Sequence, residues 1–227
     1  MSLAVAIPLL GPPAVGKSTL AIRLGAADGC AVFRLRAHVP PARLTATGSS
    51  AASPGWMDDV TVQAALDGYL DQTARAGAVR CVVFDNFPGT SAQVRLLLAR
   101  LAVHAIGCVV VPIELSVDPV TLLRRAVQRR VCHRCERDPA HDPRLPAQPS
   151  PQNPQRCAQC GGVLHPRRGD APSLRAARLR RYRREAVGVR DAFGAAGVEV
   201  IRCDGSADIA ETVAGVSELV ATRSARR

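Results

Sequence analysis

The stretch Gly11-Pro12-Pro13-Ala14-Val15-Gly16-Lys17-Ser18 constrains this chain more than any other, because it matches G-x-x-x-x-G-K-[ST] between an apolar strand signal and a helix signal. Glycines let such a loop turn tightly enough to aim its backbone N–H groups inward, and the following helix adds the positive end of its dipole. The nest so formed suits phosphate oxygens. Lys17 would reach the β and γ phosphates of a bound nucleoside triphosphate, and the Ser18 hydroxyl would ligate Mg²⁺. Lys17 is also the single lysine of the chain, whereas arginine supplies 29 of its 30 basic residues. Ammonium and guanidinium are not interchangeable, so a lysine kept only here points to a need for a compact charge.

A loop of this kind needs a strand before it and a helix after it. Five short apolar runs read as buried strands: Leu3–Leu10, Cys30–Leu35, Val79–Phe84, Gly107–Ile113 and Val198–Cys203. Helical spacing joins Val62, Leu66, Tyr69 and Thr73, then Val94, Leu97, Leu101 and His104, and later Ile209, Val213, Val216 and Val220. Strands alternating with helices imply a mostly parallel sheet covered on both faces. Pro8 and Pro112 disagree, since each removes a ladder donor inside a strand candidate. The hydrophobic fraction of 47% against 3% aromatic makes the expected core aliphatic.

Two stretches break the alternation. Residues 36 to 55 are rich in Pro, Ser, Thr and Ala, with a helix expected from about Trp56; residues 131 to 169 carry a proline-rich run that cannot be helical. Within the second lie Cys132-x-x-Cys135 and Cys157-x-x-Cys160-Gly161-Gly162, separated by 21 residues. Two such pairs offer four thiolates to a tetrahedral Zn²⁺ and leave no open position, so the site is expected to be structural. A segment so poor in large apolar side chains needs a metal cross-link to fold. His133, His141 and His165 are surplus and read as surface residues. Cys30, Cys81, Cys108 and Cys203 read as small core residues.

Asp85 closes the third strand candidate, where a carboxylate beside a phosphate loop holds Mg²⁺ or its waters; the alternative is a helix cap. Of the arginines, 17 fall between Arg124 and Arg190. Arg125 and Arg129 are four apart and share a helix face on entering the cysteine segment, and Arg167 and Arg178 follow it. Beyond them Leu179, Tyr182, Ala186, Val189 and Phe193 mark a buried stripe, leaving Arg175, Arg180, Arg181, Arg183 and Arg184 as a solvated basic face. No apolar run is long enough to span a membrane and no secretory leader is evident, so a cytoplasmic protein is expected.

These motifs resemble the adenylate kinases, in the long form whose lid binds zinc. The likeness runs nearly end to end. It includes the Gly11–Thr19 loop, Asp85-Asn86-Phe87-Pro88 with Gln93, Arg125-x-x-x-Arg129-Arg130-Val131, the second cysteine pair, Leu164-x-x-Arg167-x-x-Asp170, Arg178-Leu179-x-x-Tyr182 and Asp204-Gly205. The resemblance implies a P-loop three-layer sandwich with a five-stranded parallel sheet. Residues 1–34, 77–130 and 170–227 would form the core, 35–76 the acceptor-binding insert and 131–169 the zinc lid. It further implies that Arg125 stacks on the ATP base while Arg129, Arg167 and Arg178 grip the transferring phosphoryl group. Catalysis would rest on Lys17, Asp85 and those three arginines; Arg36, Asp59, Phe87 and Gln93 would face the acceptor.

The departures lie on the acceptor side. Where the family reads Thr-Gly-Asp followed by Arg, this chain reads Leu35-Arg36-Ala37-His38-Val39-Pro40, and the family's Phe-Pro-Arg becomes Phe87-Pro88-Gly89. A lid aspartate position is Gly169. Gly55-Trp56-Met57-Asp58-Asp59-Val60 matches the family's Val-Pro-Asp segment only in part. Expected, therefore, is a monomeric phosphotransferase using ATP, Mg²⁺ and structural Zn²⁺, whose acceptor is a nucleotide or another small phosphate- or hydroxyl-bearing molecule. Without arginine at 40 or 89, AMP is kept only if Arg34, Arg36 or Arg43 swings in from the insert. Two other classes stay open: a nucleic-acid-binding ATPase with a four-cysteine ribbon, and a degenerate homologue that binds ATP without transfer. The near absence of aromatic residues for base stacking counts against nucleic acid as a partner.

Overall fold

The structure, a computed structural model, describes residues 3–40, 42–43, 57–136 and 143–225. Its centre is a parallel sheet of β1 (Val5–Leu10), β2 (Cys30–Phe33), β3 (Cys81–Asp85), β4 (Val109–Val110), β5 (Ile113–Ser116) and β8 (Ile201–Asp204), in the order β2-β3-β1-β5-β8 with β4 also on β1. A small antiparallel pair, β6 (Arg130–Val131) with β7 (His165–Pro166), stands apart. The helices are α1 (Lys17–Leu24), α2 (Asp59–Ala76), α3 (Ser91–His104), α4 (Pro119–Gln128), α5 (Pro172–Ala195) and α6 (Ile209–Ala225).

The two prolines that conflict with strand character find an explanation in the register. Val5 pairs with Val109 and Leu9 with Ile113 in one continuous alignment, so β4 and β5 occupy a single strand position. Between them Val111 N–H still donates to the Ala6 carbonyl at 2.9 Å, but the next rung would require an N–H from Pro8, which has none. Pro112 accepts at its carbonyl from Ile201 N–H at 2.9 Å, and its nitrogen sits just before β8 joins the sheet. Five strand positions result, as expected. Their limits differ from the apolar runs: the fourth strand continues past Ile113 to Ser116, and the last begins at Ile201 rather than Val198. Helix α2 starts at Asp59 because the Asp58 side chain caps it, accepting from Thr61 N–H at 2.8 Å. Trp56, most of the 36–55 insert and His141 lie outside the described residues.

Side chains alternate across the sheet as the pleat requires. Ala6, Val82 and Phe84 pack with Val62, Leu66 and Leu70 of α2 and with Leu97 and Leu101 of α3, while Ile7, Leu9 and Val83 pack with Leu20 and Leu24 of α1 and Val216 of α6. Three layers follow. All four phenylalanines, Phe33, Phe84, Phe87 and Phe193, are buried, so the few aromatics are spent on the core. Cys30, Cys81, Cys108 and Cys203 are half-buried rather than fully inside; Cys30 and Cys81 are neighbours across β2 and β3.

A buried carboxylate ties α5 to this sheet. Glu114 of β5 accepts from the Tyr182 hydroxyl at 2.8 Å and from Arg190 Nη1 at 2.9 Å, with Arg202 at 3.8 Å. Burial, followed by the Glu114 contact, pushes the Tyr182 phenol upward. Glu114→Leu strands two half-buried partners and is expected to lower the unfolding free energy by about 1–3 kcal/mol, measured by urea denaturation.

Candidate functional site

Parallel strands deliver their C-terminal ends to one edge, and the candidate site forms there. The phosphate loop leaves β1 at Gly11 with φ 131°; a Cβ at that point would lie 2.5 Å from the Leu115 carbonyl oxygen, so only glycine lets the chain pass. Val15 plugs the loop into the core beneath it, at 1% exposure. Lys17 opens α1 and turns back, donating from Nζ to the carbonyls of Gly11 at 2.6 Å and Pro12 at 2.8 Å. Burial, with Arg178 and Arg129 close by, lowers its ammonium to about 7, against which Asp85 acts in the opposite direction.

Ser18 Oγ donates to Asp85 Oδ1 at 3.0 Å, and Asp85, at the end of β3, is buried. These are the hard oxygen donors that suit Mg²⁺. The other oxygen, Oδ2, receives Arg34 Nε at 3.2 Å. Register produces that contact: Phe33 of β2 faces Phe84 of β3, so the residues that follow each of them, Arg34 and Asp85, come side by side.

On the opposite wall three arginines converge on one carboxylate. Arg129 grips Asp170 through Nε to Oδ2 and Nη2 to Oδ1, both at 2.7 Å, while Arg167 and Arg178 each bring Nη1 to 3.7 Å from Oδ1. Arg167 also donates to the Pro143 carbonyl and Arg178 to that of Gly169. Gly169 lies against both guanidiniums, with its virtual Cβ 3.3 Å from Arg178 Nη1. Three positive charges therefore meet a single buried negative one, and the excess faces Lys17. Burial first, then Arg167, lowers Arg178 to about 10. Arg125 donates to the Val15 carbonyl at 3.0 Å, beside the loop after β8, where Gly205 N–H donates to the Ser116 carbonyl at 2.8 Å.

The expected acceptor residues divide. Arg36 lies close enough to Arg178 to depress it. Gln93 Oε1 accepts from Gly89 N–H at 2.8 Å and braces the turn after β3, which contains a cis Phe87–Pro88 peptide. Phe87 itself is buried at 1% exposure among Phe33 and Phe84, so its ring supports the wall instead of presenting a surface. Asp59 is exposed in the first turn of α2, where its charge suits the helix dipole. From sequence Arg34 is, with Arg36 and Arg43, a candidate to reach the acceptor, and Asp170 is a member of the Leu164-x-x-Arg167-x-x-Asp170 motif. The contacts of Arg34 with Asp85 and of Asp170 with Arg129 join distant segments and are not written in the chain.

Cys132, Cys135, Cys157 and Cys160 bring their sulfurs within 4.8 Å of one another, with Cys132 to Cys160 at 3.4 Å and Cys135 to Cys157 at 3.7 Å. Zn–S bonds of about 2.3 Å in a tetrahedron place sulfurs about 3.8 Å apart, so the donor set and spacing fit zinc. Gly161 N–H closes the second turn on the Cys157 carbonyl at 2.9 Å, with φ 66° at Gly161. His133 and His165 are exposed, and their rings meet edge to face at 5.6 Å.

A family model described as an AAA domain matches residues 7–140. The adenylate kinase of Symbiobacterium thermophilum is 32% identical over 183 residues, covering 78% of this chain and 80% of its own. This chain belongs to the adenylate kinase family. Adenylate kinases of Rhizorhabdus wittichii and Novosphingobium aromaticivorans are each 31% identical, covering 94% and 96% of the chain and 98% and 99% of their own lengths. A nucleotide-kinase P-loop fold is thereby established, with a cysteine cluster that fits a zinc-binding lid. No helix among the described residues is long and apolar enough to cross a membrane.

Two outcomes follow from this geometry. Between pH about 7 and 10.5 an unfolded chain keeps on Lys17 a proton that the folded chain has lost, so this residue makes stability rise with pH across that window. Lys17→Met removes the slope: it should be the more stable protein at about pH 6, with the difference shrinking toward pH 10 in urea titrations. Cys157→Ser should abolish one zinc per chain in elemental analysis while leaving the melting of the core in place.

Proposed function

We propose that this adenylate kinase family member moves the γ-phosphoryl of ATP to a nucleotide-like acceptor for which plain AMP is a poor substitute. The observation that carries the transfer reading is the convergence of Arg129, Arg167 and Arg178 on one compensating carboxylate, Asp170, with Arg129 and Arg178 also acting on Lys17. Phosphoryl transfer offers little to acid–base groups; positioning and positive charge around the equatorial oxygens supply the rate. The backbone nest of Gly11 to Thr19 holds the β phosphate, and Lys17 exchanges its carbonyl partners for phosphate oxygens. That exchange restores its full charge, since an anion offsets the burial that depresses it. Arg125, anchored on the loop at Val15, covers the base. Mg²⁺ at Ser18 and Asp85, when bound, neutralises charge between the phosphates.

In this reading residues 131–169 act as a lid and 35–76 as the acceptor arm over a core of 1–34, 77–130 and 170–227. Zinc in the four-cysteine knuckle gives the lid the rigidity its small cluster of Cys132, Cys157 and Leu164 lacks. None of the eight cysteines forms a disulfide, which suits a reducing cytoplasm.

The acceptor assignment rests on positions 40 and 89, which hold Pro and Gly. A monophosphate dianion entering a partly dried pocket needs bidentate guanidinium partners. Loss of two charge-assisted contacts, each about 1.5–3 kcal/mol, weakens AMP binding by about two to four orders of magnitude. Steady-state kinetics with ATP against nucleoside monophosphates and small phosphorylated metabolites will therefore show a better acceptor than AMP. A micromolar Michaelis constant for AMP would sink this assignment; no transfer to any acceptor would sink the kinase reading itself.

A further inference from the structure

Arg34 is the group that the proposed mechanism leaves without a task, yet it sits at the centre of the site. Its Nε lies 3.2 Å from Asp85 Oδ2, while the other oxygen of the same carboxylate holds Ser18. The Asp85 side chain is 4% exposed and that of Arg34 28%, so one partner is fixed in the wall and the other reaches solvent. A parallel register forces the meeting, because β2 ends at Phe33 opposite Phe84 and the next residue of each strand is Arg34 or Asp85.

Three consequences converge. A divalent cation drawn to Ser18 and Asp85 finds the carboxylate already neutralised, so metal and guanidinium compete for one negative charge. A guanidinium displaced by the metal is left on the acceptor side, at the end of β2, where positions 40 and 89 supply no arginine. Arg36, the next arginine of that segment, is close enough to Arg178 to add to the lowering of its guanidinium. We propose that Arg34 is a specificity-determining arginine shared between two states: it neutralises Asp85 until metal and nucleotide arrive, then turns to hold the anionic group of the acceptor. Binding of the metal-bound donor thereby creates the acceptor's charge-assisted contact, and the two ligands bind with positive cooperativity. The proposal rests on the kinase reading for the acceptor's nature, but its metal half concerns Asp85 alone and is measurable without turnover.

The test uses full-length protein, the non-hydrolysable imido analogue of ATP, Mn²⁺ as the spectroscopic metal and AMP as the anionic probe. For the wild type and for Arg34→Gln, affinity for the nucleotide is measured with and without Mn²⁺, with electron paramagnetic resonance reporting bound metal. The gain from metal should be about tenfold larger in Arg34→Gln, the equivalent of one charge-assisted hydrogen bond removed from competition. Arg34→Lys, which keeps the charge, should restore a small gain and controls for a folding defect. Equal metal gains in all three proteins would overturn the competition. In calorimetry, AMP should bind wild type more tightly once metal and analogue are present, and Arg34→Gln should lose that increase. An AMP affinity indifferent to the metal-bound analogue in the wild type, or an increase that survives in Arg34→Gln, would overturn the second role. The outcome is independent of phosphoryl transfer, so it stands apart from failure of the kinase reading.

Discussion

A parallel sheet has one edge at which every strand ends and every connection departs, and this molecule places its chemistry along that edge. Gly11 leaves β1 there, Arg34 leaves β2, Asp85 closes β3 and Gly205 follows β8, packed against the loop that Val15 plugs. The register between strands thus decides which side chains meet, before any of them is chosen for reactivity. The opposite edge carries the Cys30 and Cys81 pair, whose sulfurs lie among strand starts far from phosphate. Burial holds the Cys81 thiol high and keeps it protonated, as befits a packing group.

Charge is the second organising quantity. Folding brings Arg129, Arg167 and Arg178 together around Asp170 and sets two of them, Arg129 and Arg178, near Lys17, an arrangement that repels itself. The lowered Lys17 and Arg178 protonation equilibria are the mark of that repulsion combined with burial. Under the kinase reading a polyanion entering the site would relieve this repulsion, which would then serve affinity and preorganisation. Gly169 contributes by omission: the space between two guanidiniums holds no second carboxylate to cancel them.

Much of this was legible in the chain because it depends on short-range chemistry. The Gly11–Ser18 spacing, the two cysteine pairs and the periodicity of Val62, Leu66, Tyr69 and Thr73 all act within a few residues, and all four of those helix positions are buried. What was hidden depends on pairing between distant segments. Pro8 and Pro112 look like breaks in strands until the register shows that the missing donors fall at the gap between β4 and β5 and before β8. Glu114 looks like the end of an apolar run, yet its partners come from α5, 68 and 76 residues away. Phe87 reads as part of a binding motif, and the motif is present, but its ring faces the core.

The bolt between Glu114 and α5 has a mechanical meaning. Helix α5 carries Arg178 near its N-terminal end, joins the lid segment just before it and is pinned to the sheet at Tyr182, one turn further on. Along a helix four residues span about 6 Å, so the pin lies close to the arginine. The helix is a lever whose fulcrum sits beside the working point. If residues 131–169 act as the proposed lid, a rotation that swings the knuckle through a wide arc displaces Arg178 by little, because the guanidinium sits one turn from the pin at Tyr182.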